Sequence, residues 1–130
     1  QPQYHFHPMN DVLFETESKI IQDLAQKEDC IIVGRCANYL LRGKCLSLFV
    51  YAPYEYRVQK VMERLGREDR SARAMIRKTD KSRKAYYEFF TDEKWNDPEN
   101  YNFCVDTSQF SKEFLVKLLA QVYREWTPGE

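Results

Sequence analysis

The chain has 130 residues, enough for one domain and too few for two, and its 43% hydrophobic and 31% charged composition is that of an ordinary soluble globular protein. Its 20 basic residues balance its 20 acidic ones, which argues against a protein that coats nucleic acid. No apolar run is long enough to span a bilayer and no charged-then-apolar leader opens the chain, which argues against a membrane protein or a secreted one. A start at Gln1 rather than at Met predicts a fragment or a processed chain.

Residues 1–10 carry Pro2 and Pro8 and are expected to be irregular. From Asp11 to about Glu28, Leu13, Ile20, Ile21 and Leu24 recur at helical spacing, with Asn10 placed as a cap and Met9 and Phe14 as a hydrophobic staple. Cys30, Ile31, Ile32 and Val33 follow, apolar without polar alternation and ended by Gly34. That pattern predicts a strand covered on both faces, the habit of a parallel sheet. Ala37 to Leu41 predicts a short helix closed by Gly43, and Leu46 to Ala52 a second apolar strand stopped by Pro53.

Tyr54 to Leu65 reads as a helix with Val58, Val61, Met62 and Leu65 on one face and Gly66 at its end. Ser71 is placed to cap a longer helix reaching about Phe90. The polar stretch 91–100, with Pro98, predicts a loop, and Tyr101 to Val105 a third short strand. Ser111 is placed to cap a last helix through Val116, Leu119 and Tyr123, with Phe110 and Leu115 as its staple; Trp126 lies beyond it. Strands separated by helices predict βαβ units and a right-handed parallel sheet.

Charge is balanced overall but not locally. Between Arg57 and Lys84 there are 11 Lys and Arg against 4 Asp and Glu, a surplus of 7. Such a stretch in a neutral protein points to a local anionic target such as a phosphate, and it equally suits a solvated helix face. Cys30, Cys36, Cys45 and Cys104 show no CxxC spacing, and His5 and His7 sit in the Pro- and Gln-bearing lead-in, so no metal site is expected. Reduced thiols and a cytoplasmic location are the expectation.

In open α/β sheets ligands bind beyond the carboxyl ends of the strands. Gly34 and Arg35 stand there after the first predicted strand, Tyr51, Ala52 and Pro53 after the second, and Asp106, Thr107 and Ser108 after the third. Gly34 removes side-chain bulk where a ligand would approach, and the Arg35 guanidinium has the fork that holds a phosphate; a surface ion pair is the alternative role for Arg35. On the long helix, Arg83 falls within the less polar stripe of Met75, Thr79, Tyr86, Tyr87 and Phe90. Asp80 and Arg83, three residues apart, are helix-surface neighbours. Together they suit either a structural clamp or a phosphate-reaching arginine whose carboxylate partner orients it or contacts a base. Arg73 and Arg77 extend the positive surface. No GxxxxGK[ST] loop is present, and Gly34, Gly43, Gly66 and Gly129 are too scattered to form a nucleotide-triphosphate cradle.

Taken together, Ile31 to Ala37, Phe49 to Pro53 with Arg57, Lys78 to Arg83, Tyr86 with Tyr87, Thr91, Lys94 with Trp95, Asp97 to Tyr101 and Cys104 to Thr107 resemble the cytidylate kinase-like family of P-loop kinases over roughly residues 11–125. The resemblance implies an α/β fold, a three-layer parallel sheet with helices on both faces. The whole of 1–130 would be one kinase-like domain, the rear portion of the fold, with 54–90 as a basic lid-like helical region. It implies phosphoryl transfer from ATP, with Mg2+, to CMP or a related nucleotide. Arg35 and Gly34 match the acceptor-binding positions, Asp80 and Arg83 the lid-side pair that closes over acceptor and transferring phosphoryl, and Arg77 is a looser catalytic match. The family's N-terminal P-loop portion is absent, so no residue here is assigned to ATP or metal. Cys36 stands where classical cytidylate kinases carry an acid, which leaves the selected base open. The implied partner is a nucleoside monophosphate or another small phosphorylated acceptor. A small-molecule kinase with a different anionic acceptor and a non-catalytic phosphate-binding module are the alternatives.

Overall fold

The computed structural model of the chain describes the backbone of residues 8–128 and the side chains of residues 11–128. The expectations for His5, His7, Gly129 and the Met9–Phe14 staple lie outside the described residues. Helix α1 runs over Pro8–Lys27, so residues 8–10 are helical where an irregular stretch was expected, and Asn10 lies inside the helix rather than at its cap. A proline is tolerated at a first helical position because its missing N–H would have no intrahelical partner there. Of the apolar positions of α1, Ile21 is buried, while Leu13, Ile20 and Leu24 stay exposed. Ile21 meets Ala37 and Leu41 at the short helix α2, Ala37–Leu40.

The strand predicted for residues 30–33 does not form. Ile31 is 95% and Val33 85% exposed. An apolar sequence supplies a strand's faces, but a strand also needs a neighbour to receive its backbone N–H and C=O groups, and none of the described residues pairs with this segment. The sheet consists of β1, Leu48–Tyr51, and β2, Phe103–Asp106, parallel and in register from Leu48 opposite Phe103 to Tyr51 opposite Asp106. The fold is mixed α/β as expected, but among the described residues it holds this small two-stranded sheet in place of a three-layer one.

Between the strands lie α3, Tyr54–Leu65, and α4, Asp69–Thr91. Pro53 ends the strand and opens α3, and Gly66, with φ of 64°, turns the chain between the helices as only glycine does without strain. Helix α4 starts two residues ahead of Ser71, whose hydroxyl accepts from Arg67 Nη1 at 2.9 Å instead of capping. The two helices share a core of Val58, Ala72 and Ile76, with Tyr54, Val61 and Met62 packed against it.

After α4, Asp97 accepts from the Glu99 N–H at 3.0 Å and caps a 3-10 turn at Pro98–Asn100. Phe49 of β1 meets Trp95 and Tyr101 at centroid distances of 5.7 and 4.8 Å, pinning this loop to the sheet. Helix α5, Lys112–Glu125, is capped by Ser111 as expected, its Oγ accepting from the Phe114 N–H at 3.1 Å. Phe110 packs on Phe114, at a centroid distance of 5.4 Å. Val116 and Tyr123 of this helix are exposed. No helix among the described residues is long and apolar enough to cross a membrane.

Val58 is 0% exposed and has no room to be replaced by a smaller side chain without leaving a void. Val58→Ala is expected to destabilise the fold by about 2 kcal/mol, whereas Val116→Ala, at a side chain 62% exposed, should change stability by less than about 0.5 kcal/mol. Urea unfolding followed by circular dichroism reads both.

Candidate functional site

The carboxyl end of β1 delivers the chain directly into α3, and a cluster of cations gathers at that junction. Arg57, one turn into α3, donates from Nε to the Ala52 carbonyl at 3.2 Å and from Nη1 to Asp80 Oδ2 of α4 at 2.8 Å. The ring of Tyr54 lies beneath two guanidiniums, 6.0 Å from Arg57 Cζ and 5.5 Å from Arg73 Cζ, distances suited to cation–π attraction. Its hydroxyl accepts from Arg77 Nη1 at 3.1 Å. Tyr54, Arg77, Lys78, Asp80 and Lys81 line an open cleft of about 600 Å3. Three cations face one carboxylate there, and that carboxylate is already paired with Arg57, so the cleft presents net positive charge.

The residues expected to act together are only partly brought together. Asp80 and Arg77 share the cleft. Asp80 pairs with Arg57 and not with Arg83, which corrects the expected Asp80–Arg83 pair. The reason is reach: Arg57 approaches from the neighbouring helix, where packing of Val58 against Ala72 has already placed it. Arg83 is exposed and makes no hydrogen bond or ion pair among the described residues. It sits seven residues after buried Ile76 and four before buried Tyr87, on the same face of α4 as both. Arg73 does not extend the positive surface: Glu55 holds it through two bonds of 2.9 Å and Asp69 through bonds of 2.7 and 3.2 Å. Hydrogen bonding from Arg73 holds both carboxyls below the usual carboxylate range.

Arg35 does not line the cleft. Its Nη1 meets Glu17 Oε2 of α1 at 3.2 Å, and its side chain is 62% exposed. Gly34, Arg35 and Cys36 form a run of left-handed residues, with φ of 72°, 59° and 56°. At the two non-glycine positions this conformation costs about 1–2 kcal/mol each. A Cβ at Gly34 would meet no protein atom within 4 Å, so what the fold itself asks of this glycine is its positive φ. The turn is held from behind by α2. Asn38 Nδ2 donates to the Tyr87 hydroxyl at 3.0 Å and to the Asn100 carbonyl at 3.2 Å, and Arg42 forms a bidentate pair with Glu93 at 2.8 and 2.7 Å. Sequence reasoning missed Arg42, Asn38 and the role of Arg57, since each meets a partner at least 23 residues away. The one available signal was Arg57's place one turn beyond Pro53 at a strand's end.

At the end of β2, Asp106 turns on its own backbone, accepting from the Ser108 N–H at 2.8 Å and the Ser108 hydroxyl at 2.7 Å. Cys36 is buried, and burial first, then the Glu17 charge, pushes its thiol up to about 11. The described residues form no cradle for a nucleotide triphosphate with its Mg2+. Gly34, Gly43 and Gly66 turn the chain at separate places, and no group of three or more His, Cys, Asp or Glu suited to a metal occurs among the described residues.

The sequence model of the cytidylate kinase-like family matches residues 3–109. Among solved structures, the chain is similar to an uncharacterized protein from Eubacterium ventriosum, with a TM-score of 0.83 and 28% identity, over 93% of this chain and 69% of that one. No curated protein matches.

The Cys36 thiol, neutral at ordinary pH and buried, should resist alkylation, while Cys30 is exposed. Iodoacetamide at pH 8 is expected to label Cys30 at least tenfold faster than Cys36, as only the thiolate attacks; peptide mass mapping over time checks this.

Proposed function

This chain belongs to the cytidylate kinase-like family, and from that premise we propose that it forms the acceptor side of a phosphotransferase that passes the phosphoryl group of ATP to CMP or a related nucleoside monophosphate. The observation that carries this reading is the positively charged cleft of Tyr54, Arg77, Lys78, Asp80 and Lys81 at the carboxyl end of β1. In phosphoryl transfer the protein mainly positions the reactants and neutralises the charge spread over phosphate oxygens, so arginines and lysines rather than a nucleophile carry the work.

Arg77 and Lys81 supply donors on the cleft wall, and Asp80 contacts the acceptor from the same wall. Arg83, exposed and without a hydrogen-bond or ion-pair partner among the described residues, reaches the transferring phosphoryl. Arg35 lies outside this cleft and would hold the acceptor phosphate only by leaving Glu17 and swinging toward it. Its exposed pair with Glu17 contributes little stability, so exchanging the carboxylate for a phosphate costs little. The cleft's cations Arg77, Lys78 and Lys81 all stand on α4, whose packing against α3 holds them in place. ATP would supply the phosphoryl group and Mg2+ its charge neutralisation; the described residues offer no cradle for either.

The working sheet, on this reading, is larger than β1 and β2. Residues 30–33 expose Ile31 and Val33, and β1 exposes Val50 and Tyr51, apolar surfaces that suit a further parallel strand beside them. The matched solved chain, covered over only 69% of its length, is consistent with such an addition. Four free cysteines suit a reducing, cytoplasmic setting. A second reading, a different anionic acceptor, is favoured by Cys36: its side chain is 4% exposed and cannot present itself to a base as an acid would.

Thermal shift with CMP, other nucleoside monophosphates and ribose 5-phosphate tests the assignment. A ligand at about a hundred times its Kd adds about 2.7 kcal/mol of stability, so CMP should raise the melting temperature and the sugar phosphate should not. Silence from every nucleotide removes the reading. In a preparation that turns over ATP, Arg83→Ala should lower kcat by about 100- to 1000-fold with an unchanged melting temperature; wild-type turnover would refute that role. Residues 1–130 alone should show no ATP-dependent transfer in a coupled assay.

A further inference from the structure

Helix α4 is fastened at two places and carries its cations between them. Its buried residues are Ala72 and Ile76 near the start and Tyr87 and Thr91 near the end. The stretch 77–86 holds no buried residue, yet it contains Arg77, Lys78, Asp80, Lys81 and Arg83. A long exposed stretch of helix does not by itself hold side chains at a fixed distance from the sheet. Arg57 provides that restraint. One of its N–H groups is committed to the Ala52 carbonyl just beyond β1, and another to Asp80 in the middle of the stretch. Because the guanidinium is planar and rigid, the two bonds fix the strand end relative to the helix; a lysine has one freely rotating head and cannot hold both in the same way. Tyr54 supports the arrangement, its ring 6.0 Å from Arg57 Cζ and its hydroxyl bonded to Arg77.

We infer that Arg57 is a positioning residue for the phosphate-binding cleft: acting through Asp80, it holds Arg77, Lys78 and Lys81 at a set distance from the carboxyl end of β1, so that an anion meets a preformed group of donors. The inference rests on the reading of the cleft as a phosphate site. It does not require that the phosphate belong to a nucleotide.

A double-mutant cycle tests it. Pyrophosphate, which has no base for Asp80 to contact, is titrated calorimetrically at fixed ionic strength into the full chain, Arg57→Lys, Asp80→Asn and the double variant. Asp80→Asn alone also removes a negative charge, so the comparison is the effect of Arg57→Lys in the two backgrounds. Arg57→Lys should weaken pyrophosphate about tenfold when Asp80 is present and less than twofold when it is Asn. An equal loss in both backgrounds would mean that Arg57 touches the anion itself, and the positioning role is then wrong. No loss in Arg57→Lys, or no pyrophosphate binding by the folded wild type, also overturns it. Melting of the unliganded variants establishes folding, and Arg57→Gln, which carries one donor group, replaces Arg57→Lys in the cycle if the lysine variant does not fold. CMP stabilisation without coupling removes this inference alone. Coupling without any nucleotide response removes the nucleotide reading and leaves Arg57 its role.

Discussion

The close contact between α3 and α4 is the constraint from which the site follows. Val58 and Ala72 are both wholly buried where the helices meet, and Ile76 is nearly so. A residue as small as Ala72 lets the helix backbones approach, and Val58 then fills the space between them. With that separation set, Arg57 reaches Asp80, Arg73 reaches Glu55, and Arg77 reaches the Tyr54 hydroxyl, all across the same interface. A wider spacing would leave each of these pairs out of hydrogen-bond range, and the cleft would lose its walls.

The basic stretch is accordingly not a uniform positive surface. Some of its arginines are engaged by carboxylates with two-pronged geometry, Arg73 by Glu55 and Asp69 in particular, while Arg77, Lys78, Lys81 and Arg83 have no carboxylate partner among the described residues. Exposed ion pairs contribute little net stability. Their consequence here is directional, since they decide which cations are committed to the fold and which are left for an anion. Arg42 with Glu93, and Asn38 with Tyr87 and Asn100, do the same for the other side of the molecule, holding α2 to the end of α4 and keeping the strained Gly34–Cys36 turn in place.

The uncovered apolar surface belongs to the same account. The hydrophobic clusters of the described residues are small, one around Ile21 and Leu41 and one around Val58. Ile31, Val33 and Val50 remain open to water.

Local spacing in the amino-acid sequence determined α3 almost to the residue, because Pro53 and Gly66 bound it and its apolar stripe has helical period. It determined the Ser111 cap, β1 and β2 within a few residues, and the wealth of cations on α4, since each depends on neighbours in the chain. Residues 30–33 read as a strand for the same local reasons and are not one, because pairing is a contact with something distant and no composition supplies it. Asp80 likewise was legible as a paired carboxylate, but Arg83 is its neighbour by spacing and Arg57 its partner in fact. Spacing along a helix identifies which residues share a face; only the packing of one helix on another decides which opposing side chain comes within 3 Å of them.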